Sequence, residues 1–428
     1  MNADLAKRIA ITVLLAAGVL VAGRAPIPGI DPQALLSIGV TDQVGILTLG
    51  LGPVISAFVL VEIAALLIPS WRRRRHGSAV DRATLTRAAM WLAAGLAVLQ
   101  GAMIAVGLTR MNTPMGPLVE NPGMAFVLFT TLTLAAGSFL IVWVASLISR
   151  FGIANGFAAI LSVGVIYAVA GVFWMMWSLF QLGEVSLLGA LILLCVHVGV
   201  VALAGIVFRQ RGATPLPASG LVPINLFAGL ALFVATFLTF SEFTAQLASV
   251  VRPGSWIYES LQVAFVVVFT PLFVRLFHPP ARMAALHQRP VPLIRPVVLT
   301  MAFLLALAFL SLLGQQIGSL GLVVPLVAAV AAVEDVMREA RMRAAHPDLV
   351  SVWPLHALYA IEPVVDALGA AGIPAHPRGV HFRSLFQFFA PYLPVEILVP
   401  RASAEEAERI VRDVLARTGA SGEQLKLD

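Results

Sequence analysis

MAFVLFTTLTLAAGSFLIVWVASLI, residues 124–148, runs for 25 residues without one charge. As an α-helix it is about 37 Å long, enough to cross the ~30 Å hydrocarbon core of a bilayer. Outward from it the same character recurs at roughly 9–23, 44–69, 88–108, 157–181, 184–207, 221–240, 256–277, 297–314 and 318–333. The chain is 59% hydrophobic and 12% charged, against roughly 25% charged in soluble domains. These are continuous apolar runs, so ten-residue alternating barrel strands are excluded. The first run follows Lys7 and Arg8 as a signal peptide would. Arg24 and a Pro-Gly turn come after it with no small-residue cleavage site, and nine more runs follow, so it reads as a span. The single cysteine, Cys195, lies inside a run and allows no disulfide within the chain.

The net charge of +6 sits between the runs, which argues against nucleic acid as its reason. With the N-terminus in the cytosol, the cytosolic loops hold Lys7, Arg8, Arg72 to Arg75, Arg82, Arg87, Arg150, Arg209, Arg211, Arg275, Arg282, Arg289, Arg295, Arg338, Arg341 and Arg343. The outer loops hold Arg24, Arg110 and Arg252. That asymmetry predicts an inner (plasma) membrane protein, multi-pass, with both termini cytosolic. Trp174 and Trp177 then fall at the outer end of the fifth span, where an aromatic belt belongs.

Residues 1–340 read as the membrane domain, 341–347 as a linker, 348–418 as a small α/β domain and 419–428 as a loose tail. In the small domain a helix spans about Leu355 to Ala371 and stops at Gly372. Val395 to Val399 reads as a strand, and Ser403 with Glu406 as a capping box opening a last helix. The expected order is strand–helix–strand–strand–helix.

Several short motifs punctuate the apolar runs: Arg24-Ala25-Pro26-Ile27-Pro28-Gly29-Ile30-Asp31, Leu49-Gly50-Leu51-Gly52-Pro53-Val54-Ile55-Ser56-Ala57, Thr86-Arg87 with Gln100, and Phe151-Gly152-Ile153-Ala154-Asn155-Gly156. Gly220-Leu221-Val222-Pro223 follows, then Phe277-His278-Pro279 with Ile294-Arg295-Pro296 and Thr300, and finally Glu334-Asp335-Val336-Met337. In this order and at this spacing the chain resembles the SecY family, the channel subunits of the general protein-export machinery, over roughly residues 5–345. The resemblance implies an all-α polytopic membrane protein with about ten transmembrane helices in two pseudo-symmetric five-helix halves. The small domain is not part of ordinary SecY. Its Ala370-Ala371-Gly372-Ile373-Pro374-Ala375, Val395 to Pro400 and Glu405-Glu406-Ala407 resemble small cytosolic ferredoxin-like domains with a signal-transducing role. It is expected to bind a protein or small effector at the cytosolic mouth, or to cap the channel.

The resemblance also implies sites. A protein channel needs an apolar ring at the midplane that seals by dewetting. By motif, the ring takes Leu51, Ile55 and Leu161, with either Asn225 or Leu226 from the seventh span; the tenth span's register stays open. An outer plug falls on 30–43, including Ile30, Asp31, Leu35, Leu36 and Ile38; an ordinary outer loop is the alternative. Glu62 lies on the expected lateral gate between helices two and seven, where the family usually has an amide. It either tunes that gate or pairs with interfacial arginines. The loops between helices six and seven and between eight and nine are where the family docks the SecA motor and the ribosome. Here the eight–nine loop carries Arg282, Arg289 and Arg295, with Val297 where the family has glycine. The six–seven loop shrinks to about Arg209 through Ser219, and Ser146 and Arg150 replace acidic residues before the Asn-Gly motif. The chain therefore reads as a divergent paralogue.

The partners this implies are translocating polypeptides, membrane lipid, SecE- and SecG-like small subunits and a motor or ribosome, with no direct nucleic-acid contact. No catalytic triad, metal-spaced cluster or phosphate loop is legible, so no enzyme activity, cofactor or metal is expected. His356, His376 and His381 are too scattered for a metal site. Two other functions compete: a non-conducting scaffold, suggested by the short six–seven loop, and a transporter coupling protons through Glu62 and His197.

Overall fold

The computed structural model describes residues 3–37, 44–153, 155–183, 186–210, 213–238, 254–316, 323–389 and 392–417. Among them, seven helices are long and apolar enough to cross a membrane. They lie in α1 (Ala3–Gly23), α5 (Ala79–Thr109), α6 (Met124–Phe151), α7 (Gly156–Gln181), α8 (Leu187–Phe208), α10 (Trp256–Phe277) and α12 (Ile294–Gln316). An eighth candidate is the pair α3 (Gly52–Leu67) and α4 (Pro69–Arg75), bent by 117°. Pro69 causes the bend: the residue before a proline is pushed out of the helical region, and Ile68 sits at φ −105°, ψ 113°. The expected spans at 221–240 and 318–333 correspond to α9 (Val222–Leu238) and α13 (Val323–Ala345), which are not among the seven. A short helix α2 (Pro32–Ser37) follows α1, and α11 (Pro280–His287) lies between α10 and α12. A two-stranded ribbon, β1 (Asn112–Thr113) and β2 (Gly116–Pro117), joins α5 to α6.

One packing scheme occurs twice. In the first half α1 packs on α6 and α7, α3 on α5, α5 on α6 and α6 on α7. In the second half α8 packs on α12 and α13, α9 on α10, α10 on α12 and α12 on α13. The halves meet broadly where α7 lies along α13 and narrowly where α3 meets α9. A single apolar cluster fills the space between them.

Beyond α13 come β3 (Leu349–Leu355), α14 (Ile361–Ala370), β4 (His376–Arg378), α15 (Val380–Leu385), β5 (Val395–Pro400) and α16 (Ala404–Ala416). β5 is central and antiparallel to both β3 and β4, so β3, α14 and β4 form a βαβ unit split by β5. The helix after β3 starts at Ile361 rather than near Leu355, because β3 itself runs to Leu355 and a 3₁₀ turn occupies 358–360. Gly372 (φ +74°) ends α14 as expected: the Ile373 N–H reaches the Leu368 carbonyl and the Gly372 N–H that of Gly369, a Schellman closure. The capping box at Ser403 does not form. A 3₁₀ turn at 401–403 holds Ser403 at φ −106°, ψ 9°, away from the extended backbone a capping hydroxyl needs. α13 continues to Ala345, through most of 341–347. A helical segment, α15 and a 3₁₀ turn at 387–389, stands between β4 and β5.

Candidate functional site

The motifs do local work at the turns that aim α3, α7 and α9 inward. Pro53 opens α3, its missing N–H falling where a helix has no internal partner. Asn155 caps α7 by accepting from the Phe157 and Ala158 N–H groups. Gly156 lies so close to the Ala145 carbonyl that no side chain fits, which holds the start of α7 against α6. These helices bring Leu51, Ile55, Leu161 and Leu226 into one apolar cluster. Asn225 is half-buried beside them, its N–H bonded to the Leu221 carbonyl.

The expected plug residues lie in a different cluster. Ile30 and Leu35 are buried with Ala34 against Leu108, Leu118, Val119 and Phe126, from the end of α5 to the start of α6. Ile30 also bridges Val119, and the Asp31 N–H reaches the Leu118 carbonyl. The Asp31 carboxylate accepts from the Gln33 N–H as α2 begins. Leu36 is exposed, and Ile38 lies outside the described residues.

Glu62 is 1% exposed and holds Arg75 through a 2.6 Å ion pair. The bend at Ile68 makes this possible by folding α4 back beneath α3. The Arg75 guanidinium also lies 4.5 Å from the ring centre of Phe277 at the end of α10. His197 on α8 is buried, with Nδ1 2.8 Å from the Leu193 carbonyl. Glu62 and His197 thus have separate partners on separate helices.

At the arginine-rich end, both connecting loops are covered by the C-terminal sheet domain. In the α10–α12 connection, Met283 and Leu286 of α11 are buried in the core of that domain with Trp353, Leu355, Leu358 and Ile361. Arg289 and Arg295 point outward. Arg282 is exposed and donates to the His76 carbonyl at 2.6 Å. The α8–α9 connection is buried at Leu216, Ala218, Ser219 and Leu221.

What covers it is the segment 380–389. The Leu221 N–H donates to the Leu385 carbonyl at 2.7 Å, the Ser384 hydroxyl to Leu216 O at 3.0 Å, and the Gln387 amide to Ala218 O. Gly220 (φ +61°) faces the Leu385 carbonyl at a distance that excludes any Cβ. From α13, Asp335 accepts from the His381 and Phe382 N–H groups at 3.1 and 2.9 Å, capping α15 across the domain seam. Burial raises the Asp335 carboxyl to about 7 and lowers His278, His381 and His376 to about 3, 3 and 4. Arg383 is 2% exposed and donates to the carbonyls of Leu393, Phe386 and His356, which folds the segment on itself. Burial pulls it down to about 9, so it stays charged at neutral pH. Arg378 ties the base of the segment to Glu339 of α13 at 3.0 Å and to the Ser149 and Gly152 carbonyls at the α6–α7 turn.

The rings of this segment enter the helical bundle. Phe389 lies 5.2 Å from Phe58 and 5.5 Å from Phe157 between ring centres, and Tyr392 lies 5.8 and 6.0 Å from the same two. Phe58 is about one turn past Ile55, and Phe157 about one turn before Leu161. Sequence reasoning passed over Phe58, Phe157 and the whole 380–389 segment. A signal was present: VHFRSLFQFF holds four phenylalanines and a leucine within ten residues, more apolar surface than a short loop helix leaves to water.

Comparison with known proteins adds the family. The SecY family model matches residues 45–290, more than half of the chain. Among curated relatives, the protein translocase subunit SecY of Aquifex aeolicus is 26% identical, covering 68% of this chain and 79% of its own. SecY of Rickettsia conorii is 28% identical, covering 62% and 72%. Two solved structures, one of a protein-conducting channel and one of canine Sec61 in a ribosome–channel complex, share the fold. They align at TM-scores of 0.54 and 0.51 with 14% identity each, over 80% of this chain and 94% of theirs. The chain belongs to the SecY family.

Proposed function

We propose that this chain is the channel subunit of a SecY-like translocase, passing or inserting polypeptides across the plasma membrane with both termini in the cytosol. The observation that carries the reading is the family match, set on a bundle of two like-packed halves around the cluster of Leu51, Ile55, Leu161 and Leu226. Such a ring holds back ions by excluding water and closes around a passing chain. The channel performs no chemistry of its own; a partner supplies the energy. Small SecE- and SecG-like subunits fit against the lipid-facing helices. Arg282, Arg289 and Arg295 are exposed basic positions on which a cytosolic motor or ribosome would dock, Arg282 also donating to the His76 carbonyl. The segment around α2 serves as the outer plug, and the narrow α3–α9 contact, with Glu62 on α3, as the lateral gate.

A transporter coupled through Glu62 and His197 gains no support, because each is engaged separately. The non-conducting scaffold keeps one specific observation in its favour: the arginine-rich mouth is filled by residues of the chain itself. Photo-crosslinking in cells from a probe at Leu51 or Ile55, with lipid-facing controls, separates the two. Crosslinks to precursor polypeptides, absent at the controls, are expected of a channel. Crosslinks confined to neighbouring helices in cells exporting normally would leave the scaffold.

A further inference from the structure

Phe382, Phe386, Phe388 and Phe389 are each 5% exposed or less, yet they belong to the core of the helical bundle and not to that of their own domain. Four phenylalanines on a loop between two strands would form an exposed apolar patch unless another surface received them. The receiving surface is the mouth formed by Phe58 of α3, Phe157 at the start of α7, and Leu221 and Ile224 at the start of α9. These three helices also carry Leu51, Ile55, Leu161 and Leu226. The rings stand about one helical turn, roughly 5 Å, from that cluster, on the side from which a polypeptide would enter.

The contacts are of a kind that many polypeptides can make. Leu221 binds a backbone carbonyl, Asp335 binds two backbone N–H groups, and the aromatic wall accepts flat or bulky apolar side chains. Among the described residues of the segment, only Ser384 and Gln387 add side-chain hydrogen bonds to the mouth. The base is fixed separately by Arg378, one residue before Gly379 (φ +74°), so the segment has a pivot behind it.

We infer that this mouth is a binding site for an apolar, aromatic polypeptide segment, and that residues 380–389 with Tyr392 are its resident occupant, which an entering polypeptide displaces. The inference rests on the channel reading for its purpose but not for its test. Entering chain and resident segment compete for one set of rings and backbone partners. Apparent affinity for an added segment therefore falls with the fraction of molecules whose mouth is vacant.

The test uses the full chain in detergent, with Cys195→Ser as background and the pair Phe58→Cys and Phe389→Cys joined by a reducible crosslinker. The probe is a synthetic photo-reactive peptide with a Leu- and Phe-rich core and lysines at both ends. The reduced protein is expected to bind it, with photo-adducts at the mouth, and the tethered protein to bind about tenfold or more weakly. Reductant restores binding, which shows that both cysteine variants fold. A separate variant, Ser384→Ala with Gln387→Ala, removes the resident segment's own side-chain hydrogen bonds and leaves the mouth intact, and is expected to bind the peptide about tenfold more tightly than the unmodified chain. Equal binding by tethered and reduced protein would overturn the inference, as would absence of binding by both the reduced protein and the Ser384→Ala, Gln387→Ala variant. Failure of the channel reading looks different: the peptide displaces the segment in detergent, while a probe at Leu51 captures no precursor in cells.

Discussion

Glu62 and Arg75 form an ion pair removed from water on both sides. Such a pair adds little as a unit, but either half left alone is a stranded charge. Glu62→Gln is therefore expected to lower stability by about 3–5 kcal/mol, read as a fall in Tm in detergent, while Glu62→Gln with Arg75→Met recovers most of that loss. If the double variant were as unstable as the single one, the pair would not be the source of the effect. Gly220 works through space and backbone angle. Gly220→Ala forces a methyl toward the Leu385 carbonyl at φ +61° and costs about 1–2 kcal/mol from the left-handed backbone alone. The expected readout is faster amide exchange at 380–389 with the bundle helices unchanged; equal exchange would mean the α8–α9 turn absorbs the methyl. Both residues stood out in the sequence, Glu62 as an acid in an apolar run and Gly220 in its motif. Their partners did not. Arg75 comes within reach through the bend at Pro69, and Leu385 is 165 positions further along. On α3 and α7, where nearly every position is apolar, no periodicity separates Phe58 or Phe157 from lipid-facing neighbours.

The seam between α13, α10 and the C-terminal sheet domain holds the titrating groups. His278, His376 and His381 are lowered to about 3–4 by burial and by nearby arginines: Arg75 and Arg383 for His278, Arg338, Arg343 and Arg378 for His376, and Arg338 for His381. Glu339 also faces His376 and opposes its shift. His376 lies before the pivot at Gly379 and keeps its place, whereas His278 and His381 titrate near 6.5 once the segment is unseated, so between about pH 6.5 and 4 the unseated form binds more protons, and each of the two disfavours seating up to about tenfold per pH unit as pH falls. Asp335 acts in the opposite sense. Raised to about 7, it is protonated in the seated form between pH 7 and 4 and favours seating as pH falls. Two against one leaves acidification unfavourable. Amide protection of 380–389 is expected to drop between pH 7 and 5, whereas unchanged or rising protection would show that Asp335 dominates. At this scale the helices were readable from their apolar runs. The Schellman end at Gly372 was readable from its glycine, but the inserted helical segment between β4 and β5 was not. Its phenylalanines belong to a surface that the small domain alone does not possess.

The two halves of the bundle repeat one packing scheme and touch unequally, broadly along α7 and α13 and narrowly between α3 and α9. Two rigid bodies joined along one side open on the other. The 380–389 segment spans both. Its rings rest on Phe58 and Phe157 of the first half, while its backbone and polar side chains bond to the α8–α9 connection and to Asp335 of the second. Parting the halves at α3 and α9 therefore breaks one of these two sets of contacts, so opening and release of the segment become a single event. Two crosslinks test this. Short bismaleimides joining cysteines placed along Phe58–Leu66 of α3 and Ile224–Ala231 of α9 are expected to abolish precursor capture from a probe at Leu51 and also to preserve the exchange protection of 380–389. Matching crosslinks between Phe157–Val165 of α7 and Val323–Ala331 of α13 hold the hinge side and leave both readouts near those of the unlinked chain. If locking α3 to α9 blocked capture yet left 380–389 free to exchange, gate and segment would move independently. If locking α7 to α13 blocked capture instead, the hinge would lie on the opposite side of the bundle from where the packing puts it.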